Sequence, residues 1–77
     1  MVENVILELN AIGLRCPLPL LKAKKALSEM QEGGVLKVLV TDPGSQRDFA
    51  VYADQSEHEL LDSREENGVF IYLLRKG

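Results

Sequence analysis

Residues 13–19 read Gly-Leu-Arg-Cys-Pro-Leu-Pro, and this stretch marks the place where a loop gives way to a helix. Proline is favoured in the first helical turn, because its φ angle is preset and its missing N–H would have had no partner there. Pro17 and Pro19 therefore predict the start of a helix and place Cys16 near its N-cap. The remaining elements are assigned outward from this boundary.

The first half of the chain reads as strand, loop and helix. We expect a short strand over residues 5–9 and a loop over residues 10–16. Apolar residues at three- and four-residue spacing carry the helix to about Gln31. Gly33-Gly34 then supplies a left-handed stop.

The second half begins with an interior strand, predicted over the almost wholly apolar residues 35–40. A turn at Asp42-Pro43-Gly44 follows. Ser45 and Asp48 have the spacing of a capping box, which predicts that they begin a second helix. Two further strands, at residues 60–65 and 69–75, are joined around Asn67-Gly68, a frequent hairpin turn.

The order β-α-β-α-β-β predicts an α+β fold, a two-layer sandwich formed by one domain over residues 1–77. A β-α-β unit makes the first two strands parallel, so the fold is a four-stranded mixed sheet with both helices on one face. The carboxyl ends of the parallel strands lie at one sheet edge, where we expect Cys16 and residues 42–48 to be neighbours. At that edge Asp42 is interpreted as a turn residue, and Ser45 and Asp48 as helix-capping residues. The opposite sheet face is open and partly apolar, with Ile6 and Leu39 on it.

Cys16 is the single cysteine of the chain, and its position suggests a reactive thiol. Unpaired N–H groups and the peptide dipole favour a thiolate at a helix N-terminus, so we expect a lowered pKa for Cys16. Arg15 adds a positive charge next to it. The alternative is that Cys16 is a small buried hydrophobic residue, as free cysteines often are.

Composition excludes several classes of function. The net charge of −3 argues against binding nucleic acid through its phosphates, and no apolar run is long enough to span a membrane. One cysteine and one histidine cannot form a structural zinc site, an internal disulfide or a Cys-x-x-Cys redox pair. Residues 1–9 lack the features of a signal peptide, so we expect a cytoplasmic protein that binds neither a metal nor a membrane.

Charge is unevenly distributed along the chain. Residues 1–40 carry five basic and four acidic groups, whereas residues 41–77 carry four basic and eight acidic groups. Lys22, Lys24 and Lys25 cluster in the first helix, so Lys22 and Lys25 are candidate contacts for a partner protein. The alternative is an ordinary solvated helix face.

The motifs resemble the TusA/SirA-like sulfur-carrier family over essentially the whole chain. The matching segments are Gly-Leu-Arg-Cys16-Pro17-Leu18-Pro19, Asp42-Pro43-Gly44-Ser45 with Asp48-Phe49, His58-Glu59-Leu60 and Tyr72-Leu-Leu-Arg-Lys. The Cys-Pro-x-Pro motif is the specific part of this resemblance. An aspartate that is frequent after the first strand of the family is Asn10 here.

The resemblance implies a cytoplasmic sulfurtransferase that works without a cofactor. Cys16 would accept a persulfide sulfur from a cysteine desulfurase or rhodanese-like donor and relay it to an acceptor protein, for tRNA thiolation, sulfur oxidation or molybdenum-cofactor assembly. Arg15, Pro17 and Pro19 would shape its surroundings, and we expect a monomer. Persulfide transfer requires an exposed thiolate, and we expect the carrier to need no general base of its own. Two alternatives remain open, a non-catalytic regulatory or protein-interaction module and a selenium-handling relative.

Overall fold

A computed structural model describes residues 6–77, and it has six regular elements in the expected order. They are β1 (Ile6–Ala11), α1 (Leu18–Ser28), β2 (Val35–Val40), α2 (Ser45–Gln55), β3 (Glu59–Glu66) and β4 (Val69–Arg75). The α+β prediction is therefore confirmed. Val5, where the predicted first strand began, lies outside the described residues.

The four strands form one mixed sheet in the order β1-β2-β4-β3. β1 runs parallel to β2, with Ala11 beside Val40 at their carboxyl ends. β4 pairs antiparallel with both β2 and β3. β2 is an interior strand, as its almost wholly apolar sequence predicted.

The core lies between the sheet and the two helices. Alternate residues of β2 are buried, and the strand residues opposite them in β4 are buried as well. These side chains pack with buried residues of the two helices in one cluster, which comprises Ala11, Ala23, Leu27, Leu36, Val38, Val40, Phe49, Phe70, Tyr72 and Leu74. The helices thus cover one face of the sheet, which is the predicted two-layer arrangement.

Two predicted boundaries of the first half are wrong. β1 continues to Ala11, so the loop is shorter than expected. α1 ends at Ser28, where the N–H of Glu29 donates to the carbonyl of Ala26 and tightens the last turn. Gly33 does have a positive φ, but it lies in the turn before β2, where its N–H donates to the carbonyl of Lys76 at 2.8 Å.

The β3–β4 hairpin follows its sequence signal closely. Asn67 and Gly68 have φ angles of 52° and 83°, which is the left-handed pair that a two-residue hairpin turn requires. Within residues 6–77, no helix has the length and apolar character needed to cross a membrane.

Candidate functional site at the carboxyl edge of the parallel strands

Two loops meet at the edge where β1 and β2 end. The N–H of Gly13 donates to Oγ1 of Thr41 at 3.0 Å. The N–H of Cys16 donates to Oδ2 of Asp42 at 3.2 Å. The parallel pairing of β1 and β2 brings the two loops together, so the expected proximity of Cys16 to residues 42–48 is confirmed.

Gly44 lies where the two loops meet, next to the side chains of Asp42 and Cys16. A Cβ atom at this position would lie 3.1 Å from Oδ2 of Asp42 and 3.7 Å from Cβ of Cys16. Any side chain here would therefore crowd the carboxylate that accepts the N–H of Cys16. The absence of a side chain keeps Asp42 in its hydrogen-bonding position.

Cys16 lies exposed at the entrance to α1. The N-cap of α1 is Pro17, and Pro19 occupies its first turn, so the two prolines do mark the helix start. Pro17 and Arg15 are exposed, whereas Pro19 is buried. The Cys16–Pro17 peptide bond is cis. Cys16 is thus one residue outside the N-cap, held by its neighbours with its thiol towards solvent.

The expected capping box at the start of α2 is wrong. The N-cap is Gly44, and no side chain caps the helix. Carbonyl groups of the preceding turn accept the first N–H groups instead, including those of Ser45 and Asp48. The two side chains are therefore free for other contacts. The Ser45 hydroxyl hydrogen-bonds the buried Tyr72 hydroxyl at 2.7 Å, and Oδ2 of Asp48 accepts a hydrogen bond from Sγ of Cys16.

The contact with Asp48 reverses the expected electrostatics of the thiol. The hydrogen bond to Asp48 is the main factor that raises the pKa of Cys16 above its ordinary value, and desolvation and the charges of Asp48 and Asp42 add to it. The prediction of a lowered pKa is wrong. A full negative charge in direct contact outweighs the partial positive charge at a helix N-terminus.

A groove of about 390 Å³ runs between α1 and α2 and reaches Asp48. Its walls combine apolar and basic side chains, and it is lined by Leu20, Lys24, Arg47, Asp48, Val51, Tyr52 and Gln55. Nζ of Lys24 lies 5.3 Å from the centre of the Tyr52 ring, within the range of a cation–π contact. Lys22 and Lys25 are exposed on the same helix, but Lys24 is the α1 lysine that lines this groove.

The buried contacts of Tyr72 that hold the start of α2 were not predicted from the sequence. Tyr72 stacks on Phe49 with 4.6 Å between ring centres, and its hydroxyl anchors Ser45 at the first position of α2. The single available signal was a tyrosine within a strand that is otherwise apolar, because a buried tyrosine hydroxyl requires a partner. His58 is not part of these contacts, and its Nδ1 accepts the N–H of Gly77 at 3.1 Å.

Comparison with known proteins gives concordant results. The family model for the sulfurtransferase TusA matches residues 7–76. The sulfur carrier protein TusA of Allochromatium vinosum is 54% identical over 69 residues, which are 90% of this chain and 91% of the relative. TusA of Pseudomonas entomophila is 44% identical over 68 residues, covering 88% and 85% of the two chains.

A solved structure supports the same assignment. The crystal structure of a SirA-like protein from Desulfitobacterium hafniense superposes with a TM-score of 0.81 at 32% identity. The match covers 95% of this chain and 99% of that chain. The fold, the family model and the relatives agree, and the chain belongs to the TusA family of sulfur carriers.

Proposed function

We propose that Cys16 carries sulfur as a persulfide between two proteins of the cytoplasm. A cysteine desulfurase or a rhodanese-like protein supplies the sulfur, and an acceptor protein with its own thiol removes it. The observation that carries this proposal is the exposed position of Cys16 at the end of the loop before α1. A partner's thiol can approach Sγ there without any rearrangement of the core.

The absence of a second cysteine supports the same role. A neighbouring thiol in the same chain would attack the persulfide and release its sulfur as the two cysteines formed a disulfide. Cys16 is the single cysteine among the 77 residues. A sulfur atom bound to it can leave through a thiol of another molecule, which is what a carrier requires.

The basic groove beside the site supports docking of an acidic partner surface. Lys24 and Arg47 line the groove that reaches Asp48, and Lys22 and Lys25 are exposed on the adjoining helix. Charges at the rim of an interface act mainly on the rate of association. We therefore assign donor docking to the groove and to the exposed lysines of α1.

Exposure of the thiol weighs against the competing interpretation. A regulatory module with an inert cysteine would bury that cysteine among apolar side chains. Cys16 is exposed, and its environment is not apolar, because its Sγ contacts the carboxylate of Asp48. An exposed thiol in contact with a charged group favours a chemical role for Cys16 over a role in core packing.

The test is to mix the protein with cysteine and a cysteine desulfurase and to measure its intact mass. We expect a gain of one sulfur atom, which a reductant removes. The matched control is Cys16→Ser, which keeps a hydroxyl able to donate to Asp48 at an exposed position and should stay folded but gain no sulfur. A wild-type protein that gains no sulfur from a competent desulfurase or rhodanese, or a serine variant that gains it equally, would contradict the proposal.

A further inference from the structure

The contact between Cys16 and Asp48 joins two separate helix starts. Asp48 lies in the first turn of α2, 32 residues from Cys16, and its Oδ2 accepts the hydrogen bond from Sγ. It is half-buried and it also lines the groove between the helices. The carboxylate therefore lies between the thiol and the surface on which we expect a partner to dock.

Among the hydrogen bonds and ion pairs found within residues 6–77, the Asp48 carboxylate takes part in the contact with Cys16 alone. It does not cap α2, and the ion pairs found within residues 6–77 involve Asp62, Glu66 and Glu59 instead. The charged and titratable groups around the pair come from each adjoining element: Arg15 before α1, Lys24 on α1, Asp42 before α2, Arg47 on α2 and Tyr72 on β4. The hydrogen bond to Asp48 contributes most to the raised pKa of Cys16, and desolvation and the charges of Asp48 and Asp42 add to it, so the proton stays on the sulfur. A thiol that rests in its protonated form must lose that proton before it can attack.

We propose that Asp48 is a catalytic residue, which accepts the proton of Cys16 during sulfur transfer and returns it to the departing thiolate. This inference rests on the proposed function and replaces the sequence-based expectation that the carrier needs no general base. The direct contact of the carboxylate with the reacting sulfur is the geometry that a general base requires.

Loading exchanges one S–S bond for another and moves one proton. The Sγ–H bond of Cys16 breaks and its proton passes to Asp48, while the sulfur attacks the terminal sulfur of the donor persulfide. A new S–S bond forms on Cys16 and the S–S bond of the donor breaks. Asp48 then gives the proton to the donor thiolate, so a thiol and a persulfide become a persulfide and a thiol with no net redox change.

Unloading uses the same carboxylate in the opposite direction. The thiol of the acceptor gives its proton to Asp48 and attacks the terminal sulfur on Cys16. As the S–S bond on Cys16 breaks, Asp48 returns the proton to Sγ. The protein is left in its starting state, with the thiol again hydrogen-bonded to the carboxylate.

The test compares two reactions of Asp48→Asn at neutral pH. Alkylation by iodoacetamide requires a thiolate but no proton for the departing iodide, so we expect it to become faster when the negative charge is removed. Loading from cysteine persulfide requires proton transfer, and we expect it to slow by about tenfold or more. The matched control is Asp54→Asn, an exposed carboxylate further along α2, which should change neither rate.

The two rates separate proton transfer from simple electrostatics. If Asp48 acted only as a nearby negative charge, its removal would accelerate both reactions, and that result would overturn the inference. An alkylation rate that fails to rise would also overturn it, because the carboxylate would then not be holding the proton on sulfur. A small-molecule persulfide removes protein docking from the measurement.

The pH profile of loading provides a second readout. The wild type should load at pH values where its thiol is protonated, because the attack passes the proton to the carboxylate. In Asp48→Asn this loading should be lost, and the rate should follow the ionisation of the thiol alone. Loading of the wild type that tracks thiol ionisation would refute the role of Asp48, whereas no loading at any pH would refute the carrier function itself.

Discussion

The two helices begin in the same way at the backbone and differ in what their first side chains do. Both starts lack a side-chain cap, and both follow a strand of the parallel pair. Cys16 is exposed to solvent at the start of α1. At the start of α2, Ser45 is buried and Asp48 contacts the thiol of Cys16. We therefore place the proposed chemistry at the start of α1, whereas the start of α2 is anchored in the core and holds a charge next to the thiol.

The largest effect should come from removing the core anchor of α2. Phe49 is fully buried and stacked on Tyr72, so Phe49→Ala should cost about 3–5 kcal/mol, a large share of the stability of a domain of this size. Urea unfolding monitored by circular dichroism measures this loss. The control is Val51→Ala on the same helix, where the side chain is 45% exposed and little should change. Similar losses in the two variants would remove the distinction between an anchored and an exposed side of α2.

A smaller loss should follow from breaking the hydrogen bond that fixes the first residue of α2. Tyr72→Phe leaves the buried Ser45 hydroxyl without its partner and should cost about 1–3 kcal/mol. The double variant Tyr72→Phe with Ser45→Ala leaves no unpaired hydroxyl, so it should recover part of the loss. Denaturant midpoints of the three proteins give the comparison. A double variant less stable than Tyr72→Phe alone would show that the hydroxyls act separately.

At the start of α1 we expect Pro19→Ala to affect both stability and transfer. Pro19 is buried, so the substitution loses ring contacts as well as backbone restriction, at a cost of about 1–2 kcal/mol. Sulfur transfer should fall by more than this loss of folded protein explains, because the ring fixes the turn that presents Cys16. Unfolding curves and single-turnover loading measure the two effects. Normal loading would make Pro19 a helix-start residue without influence on the thiol.

Charge reversal at the groove should slow donor docking by roughly tenfold at low salt. We expect Lys24→Glu with Arg47→Glu to have the larger effect and Lys22→Glu with Lys25→Glu a smaller one, because the first pair lines the groove. Loading rates measured against donor concentration test this.

The control for net charge is Lys37→Glu with Arg64→Glu. Lys37 alternates with buried residues of β2 and so lies on the sheet face away from the helices, and Arg64 is exposed on β3. Equal slowing by this control would assign the effect to the charge of the whole molecule and remove the groove from the docking surface.

The smallest effect should be the one at Asp42. Its charge is a minor contributor to the raised pKa of Cys16, behind the hydrogen bond and charge of Asp48, so Asp42→Asn should lower that pKa less than Asp48→Asn does. The sign is the same in both, since loss of a negative charge favours the thiolate. Alkylation rates across a pH series give the midpoints, and the wild-type midpoint should lie above the ordinary value of a cysteine thiol. A wild-type midpoint below that value would indicate that the dipole of α1 affects the pKa of Cys16 more than the carboxylates do.

The sequence predicted the fold well because its local signals agree with one another. The proline pair at the start of α1, the apolar residues 35–40 and Asn67-Gly68 each indicate the element that forms. Parallel pairing of the first two strands then predicted that Cys16 would lie near the second turn. Those inferences required only periodicity and chain direction.

The electrostatics of the site were not predictable in the same way. A capping box is a pattern of residue types, and Ser45 and Asp48 fit it whether or not they cap the helix. The turn carbonyls that replace them are backbone groups without a sequence signature. The largest contribution to the raised pKa of Cys16 comes from one contact between side chains 32 residues apart, which opposes the local influence of the helix start.

β1 lies at the edge of the sheet, so the geometry of the site depends on a strand that has a single neighbour in the sheet. β1 pairs with β2 alone, and Ile6 and Leu7 are 61% and 46% exposed. The β3–β4 hairpin closes over a two-residue turn, whereas β1 must meet β2 across the whole of α1, a longer loop with a greater entropic cost. Detachment of this one strand would separate Cys16 from both carboxylates while the antiparallel part of the sheet stayed paired. We therefore expect the proposed sulfur transfer to respond to local opening of β1 before it responds to global unfolding.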